Sequence, residues 1–198
     1  MKIIEVVRSD LVSQYLRKLQ EFAPLSEASL VQLQEHISVV SVPKGDYLLG
    51  NQEICRHIYY IHSGFARQFY FKNGKDITEW FAATGEFCFS ITSYFENEPS
   101  NLAIEVVESS TVIRLHRNAL LELSKNNTEI AQLAISMISR SLIFSQERMN
   151  SVLFESALDR YKYLLKTKPS ILNKVALAHV ASYLGITQET LSRIRAKI

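Results

Sequence analysis

The chain has 198 residues, 47% of them hydrophobic, and its 22 Lys or Arg against 20 Asp or Glu leave a net charge of +2. That much apolar material excludes a disordered chain, and no run approaches the roughly 18 apolar residues a membrane-spanning helix needs. The Met1-Lys2-Ile3-Ile4-Glu5 start lacks a signal peptide's apolar stretch and cleavage site, so a soluble cytoplasmic protein without a membrane partner is expected. Cys55 and Cys88 are expected to be buried free thiols, because two cysteines cannot hold a four-cysteine iron–sulfur cluster.

In chain order, residues 9 to 20 and 26 to 36 have helical spacing. Leu11, Tyr15, Leu16 and Leu19 share one face, Leu30, Leu33 and Ile37 another, and Ser26 with Glu27 supplies an N-terminal cap. From residue 37 the pattern shortens to strand-like runs: Val39-Val40-Ser41-Val42, Tyr47-Leu48-Leu49 beyond a Pro43-Lys44-Gly45-Asp46 turn, and Ile58-Tyr59-Tyr60-Ile61 before Ser63-Gly64. The clearest hairpin runs from Phe65 to Phe81 around Asn73-Gly74, and two further runs cover 103 to 107 and 111 to 115. Many short strands predict an antiparallel roll, with its aromatic residues as core packing.

After Arg117 the pattern becomes helical, first over 117 to 125 and then over a stretch from 128 to 150 that contains neither Gly nor Pro. Ile130, Ala134, Met137, Ser141, Phe144 and Arg148 recur there at heptad-like intervals, which predicts a dimer seam. The same stripe can instead pack on the chain's own β domain. A further helix is expected over 153 to 166, ending near Pro169-Ser170. The charge is uneven. Residues 160 to 198 hold eight Lys or Arg and one acid, a net of +7, whereas residues 1 to 159 carry −5, an asymmetry that points to nucleic acid.

Residues 177 to 198 carry the most specific pattern. Val180, Leu184, Ile186, Leu191 and Ile194 fit two short helices; Ala181 is small where they meet, Gly185 suits the reversal, and Thr187 caps the second helix. Packing Leu191 and Ile194 inward leaves Gln188, Glu189, Ser192 and Arg193 outward, as on a recognition helix. Arg193 suits guanine, Glu189 a cytosine amino group, and Gln188 adenine or phosphate, while Lys174, Arg195 and Lys197 are expected to hold phosphates. The chain is therefore expected to be an α+β protein: an N-terminal antiparallel β-roll over 1–127, a dimerisation helix over 128–150 and a helix-turn-helix over 151–198.

This order of parts resembles the Crp/Fnr family, the cyclic AMP receptor protein and its relatives. Val42-Pro43-Lys44-Gly45-Asp46 is similar to the family's early β-turn, Gly85-Glu86-Phe87 to the start of its phosphate-binding cassette, and Thr187-Gln188-Glu189-Thr190-Leu191-Ser192-Arg193-Ile194 to its recognition helix. The resemblance implies a cyclic nucleotide-binding-like double-stranded β-helix and a transcription regulator that binds double-stranded DNA. It further implies a homodimer on a palindromic operator, RNA polymerase as a partner, and an effector pocket at Glu86, Phe87, Cys88, Ser100 and Asn101. Cyclic AMP is not the expected effector: Pro99-Ser100-Asn101 stand where the family places its phosphate-binding arginine, and no arginine occurs between Arg67 and Arg114. No cofactor is expected, and the small effector stays unidentified.

Two other classes compete. A metal enzyme on a cupin-like roll is disfavoured because His57 and His62, five apart, face opposite sides of a strand, so neither catalysis nor a metal is expected. The alternative is a ligand- or protein-binding adaptor that has lost DNA binding, since the chain stops at Ile198, about eleven residues into the recognition helix. Against it stands the Gln188, Glu189 and Arg193 set, which an adaptor has no physical reason to keep.

Overall fold

The computed structural model describes residues 4–5 and 9–196. Met1–Ile3 and Lys197, on which two of the expectations above fall, lie outside the described residues. The elements run β1 (Ile4–Glu5), α1 (Ser9–Gln20), α2 (Glu27–Gln34), β2 (Ile37–Val42), β3 (Tyr47–Leu49), β4 (His57–Lys72), β5 (Lys75–Ala83), β6 (Phe87–Cys88), α3 (Ile91–Glu96) and β7 (Leu102–His116). Then follow α4 (Arg117–Leu121), a 3₁₀ turn (Leu123–Lys125), α5 (Thr128–Phe154), α6 (Ala157–Thr167), α7 (Ile171–Lys174), α8 (Leu177–Leu184) and α9 (Gln188–Arg195).

The strands form one antiparallel sheet in the order β1-β2-β7-β4-β5, with β3 against β7 and β6 against β4. Residues 103–107 and 111–115, expected as two runs, belong to one long strand, β7. Its pairing with β4 shifts register between Ile61 and Ala66. The irregularity includes Gly64 of β4, whose φ is +117° and where a Cβ would lie 1.9 Å from the Ser110 hydroxyl, so only glycine fits. Ser110 Oγ accepts from Phe65 N at 3.2 Å and donates to Glu108 O at 2.7 Å, which satisfies the backbone at the irregularity. Asn73 and Gly74, with φ of 52° and 74°, make the expected two-residue turn between β4 and β5.

Helix α1 buries the four residues its spacing picked out, and Ser26 caps α2 by accepting from Ser29 N. Glu129 at the start of α5 accepts from Ser26 N, Ser26 Oγ and Ser29 Oγ at 2.7, 2.8 and 2.6 Å, which ties α2 to α5. Those hydrogen bonds, the Ser29 hydroxyl first, hold the Glu129 carboxyl below its ordinary range. Helix α3 escapes a sequence reading because six residues are too few to show a helical period. Helix α5 extends past the expected 150 to Phe154, because the chain stays helical until Glu155 turns extended and Ser156 caps α6 by accepting from Asp159 N.

The expected dimer seam needs correction at Ile130, Ala134 and Met137. Ile130 and Met137 are 0% and 8% exposed, and with Leu133 they belong to the core formed by α1, α2 and the roll. Ala134 packs on the same core, Ser141 is half-buried, and Phe144 leans on Trp80 with ring centroids 6.3 Å apart. The roll claimed this stripe because its open face needs apolar cover, and a helix supplies cover along whichever stripe fits first. The exposed apolar residues of α5 include Ile135, Ile138, Leu142, Met149 and Val152, a heptad frame displaced by one residue, and beside them Ile143, Phe144, Leu153 and Phe154.

Cys55 and Cys88 are free and buried, and burial pushes both thiols up from their usual range. Among the described residues no helix is long and apolar enough to cross a membrane, and no group of three or more His, Cys, Asp or Glu is placed to hold a metal ion.

Candidate nucleic-acid interface

Helix α8 ends at Gly185 in the left-handed conformation, φ 68° and ψ 31°. There the Ile186 N–H donates to Ala181 O and the Gly185 N–H to Ser182 O, both at 3.0 Å, closing a Schellman-type end. Thr187 then caps α9, its hydroxyl accepting from Thr190 N at 3.2 Å. Val180, Ala181, Leu184 and Leu191 are buried between the two helices, with Ile186 and Ile194 packed against them. Gln188, Glu189, Ser192, Arg193 and Arg195 are all exposed. The Glu189 carboxyl is held below its ordinary range by the backbone N–H at the helix start, then by the Thr187 hydroxyl, with Arg193 adding to it.

Lys174 does not join this exposed set. Its ammonium lies 2.5 Å from Glu108 Oε1 and over the Phe65 ring, so it is spent within the chain. Lys197 falls outside the described residues.

The expected effector residues are brought near one another only in part. Glu86 accepts from Ala83 N at 2.9 Å and takes the Lys168 ammonium on both oxygens, at 2.6 and 2.5 Å. Phe87 packs edge-on to Phe22 and beside Tyr60 in the core, and Cys88 is buried. Ser100 is buried, donating to Ser90 Oγ at 2.9 Å or Leu102 O at 2.8 Å, whereas Asn101 is exposed and accepts from Gln52 Nε2. Glu86, Ser100 and Asn101 each have a partner from within the chain.

Sequence reasoning missed the polar groups that join the roll to the last helices. Arg67, 2% exposed, donates to Asp76 at 2.8 Å, to Glu105 at 2.9 Å, to Thr78 at 3.2 Å and to His179 Nδ1 at 2.6 Å. Arginine has no acceptor, so the His179 Nδ1 must be the unprotonated nitrogen. Burial first and then Arg67 lower the His179 pKa, against Asp76 and Glu105. Arg148 of α5 donates to Tyr183 O and stacks over its ring, while Arg160 donates to Leu184 O and Glu155 O, binding the end of α8 to the α5–α6 corner. An arginine inside the apolar run Phe65 to Phe71 was the one available signal.

Residues 39–127 match the family model described as the cyclic nucleotide-binding domain. Among solved structures, FixK2 from Bradyrhizobium japonicum aligns over 81% of this chain and 83% of its own, with a TM-score of 0.68 at 19% identity. A protein from Eubacterium rectale assigned to the Crp/Fnr family aligns over 89% and 87%, with a TM-score of 0.70 at 16% identity. The chain has the fold of a Crp/Fnr-type regulator. DNR from Pseudomonas aeruginosa shares it too, over 96% of this chain and 88% of its own, with a TM-score of 0.56 at 24% identity. No curated protein matches the sequence. The Eubacterium rectale protein is named as a transcriptional regulator. In the present chain the exposed polar face of α9 lies on the second helix of the α8–turn–α9 unit.

Proposed function

We propose that this protein is a cytoplasmic, sequence-specific transcription regulator that acts as a homodimer on a palindromic site in double-stranded DNA. The observation that carries the reading is the exposed row Gln188, Glu189, Ser192 and Arg193 on α9, behind which the apolar face of the helix is fully engaged. Such a row suits base edges of the major groove, and Thr187, Arg195 and Lys197 suit flanking phosphates. In this reading residues 1–127 sense, α5 dimerises and residues 151–198 bind DNA, with RNA polymerase as the further partner.

Dimerisation is supported by the exposed stripe of α5, with Leu142 67% exposed. The stripe runs on into an apolar groove of about 240 Å³ where Ile135 and Ile138 face Leu120, Leu121 and Phe95. A second copy of the chain would bury both. In this reading the small effector of the roll is something other than cyclic AMP, which the lack of an arginine between Arg67 and Arg114 and the hold of Lys168 on Glu86 support.

Capture of fragmented genomic DNA by the purified protein, at about 50 to about 200 mM salt, tests the proposal. Wild type is expected to enrich one palindromic sequence, and Arg193→Ala to lose about 1–3 kcal/mol on it and relax one base pair. Capture of no DNA overturns the reading in favour of an adaptor, and capture of bulk DNA without sequence preference overturns its sequence specificity.

A further inference from the structure

The face of the β-roll that receives the last helices is acidic. It presents Asp76 on β5, Glu105 and Glu108 on β7, and Glu86 in the turn between β5 and β6. The segment packed on it is the basic one. Lys168 gives its ammonium to Glu86, Lys174 gives its own to Glu108, and His179 bonds the Arg67 that Asp76 and Glu105 hold. Ser182 Oγ of α8 accepts from Thr78 N at 3.0 Å, and Phe65 and Phe81 of the roll share one apolar cluster with Tyr161, Leu164, Val180 and Leu184. Two lysines of the basic residues 160–198 are thus paired with carboxylates of the acidic residues 1–159.

These contacts use the groups a DNA backbone would need. In a helix-turn-helix the first helix crosses the phosphates, yet α8 lays His179 and Ser182 on the roll, and Lys174 just before it is paired with a carboxylate. A lysine cannot neutralise Glu108 and a phosphate fully at once, and the carboxylates left nearby repel a polyanion. The base-reading face of α9 stays exposed throughout, so docking withholds backbone anchoring while leaving base recognition untouched.

We propose that the acidic face of the roll is an internal docking surface for the basic C-terminal helices, which competes with DNA phosphate and so lowers the protein's DNA affinity. The proposal rests on the DNA-binding reading above. Opening exchanges two internal ion pairs for two phosphate contacts, and whatever loosens the acidic face raises affinity without changing which bases are read.

The test is the double variant E86Q/E108Q against wild type. Binding to a fluorescein-labelled duplex of mixed sequence is followed by anisotropy across a salt series, and the radius of gyration of the free protein is measured by X-ray scattering. The variant is expected to bind about tenfold more tightly at about 0.15 M salt, and to show a log–log salt slope steeper by about 1 to 2, because each freed lysine that meets a phosphate adds roughly 0.9. Its radius of gyration is expected to rise. Equal affinity and slope in variant and wild type, or weaker binding by the variant, overturns the proposal. An expanded variant with no DNA binding by any form also overturns the competition, but there the DNA-binding reading is what has failed. E108Q alone, whose carboxylate is about a third exposed, serves if the double variant does not fold, and a thermal melt decides that beforehand.

Discussion

The two halves of α5 have similar compositions, and only the first gives apolar side chains to the core of the roll. In the first, Ile130, Leu133 and Met137 close the core of the roll; in the second, Leu142, Met149, Leu153 and Phe154 stand in the open, Phe154 at 80%. A single helix thus carries two apolar stripes side by side, about 100° of arc each serving a different surface. The lesson is that a heptad period identifies an apolar stripe, and only the neighbouring surface says whether that stripe belongs to the core or to a second chain.

Substitutions on the two halves should separate them. Leu142→Asp removes an apolar side chain that a two-fold dimer would bury twice, about 3–6 kcal/mol in total at roughly 1.5–3 kcal/mol per leucine. Sedimentation should show the variant monomeric while its melting temperature as a monomer is kept; persistence of the dimer at micromolar concentration would place the seam elsewhere. Leu133→Ala should do the reverse. A fully buried leucine replaced by alanine loses about 2–5 kcal/mol of folding stability, read by urea unfolding, with self-association unaffected where the protein is still folded.

A smaller effect is expected from His57, on the roll far along the chain from either half. Burial first, and then Arg114, His116 and Arg56, push it down to about 4 from the ordinary 6.5. The fold favours the neutral imidazole, so its contribution is complete above pH 6.5 and is lost as pH falls from there through about 4. The melting temperature of wild type should decline across that window, and His57→Gln should flatten the decline in part, since His116 is shifted in the same direction. An unchanged slope in the variant would show that the imidazole takes up its proton without penalty. The smallest effect belongs to Tyr15→Phe: no group among the described residues bonds the buried Tyr15 hydroxyl, so the melting temperature should hold or rise slightly. A loss above about 1 kcal/mol would reveal a partner for that hydroxyl.

Much of the fold was legible because local chemistry decided it. Ser26, Asn73-Gly74, Gly185 and Thr187 act through bonds and backbone angles within a few residues of themselves, and each does what its residue type dictates. The outward row of α9 was legible for the same reason, since Leu191 and Ile194 fix its inner face. The pairing of Lys174 was not legible, because a lysine beside a helix-turn-helix has the same appearance whether a phosphate or Glu108, 66 residues away, receives it. The effector residues were read from a motif, and nothing near Glu86 in the chain announces that Lys168 will take both of its oxygens.

By itself, the sequence determined an antiparallel roll followed by helices, the helix-turn-helix with its outward polar row, and the opposition of an acidic body to a basic tail. Periodicity, caps, turns and charge are properties of short stretches, and they survive without knowledge of the rest of the chain. The tertiary structure alone decided which stripe of α5 is core, and that Arg67, Glu86 and Glu108 engage His179, Lys168 and Lys174. Those pairings join residues 66 to 112 positions apart, and such partners are chosen by how packed elements are brought together, which no local pattern records.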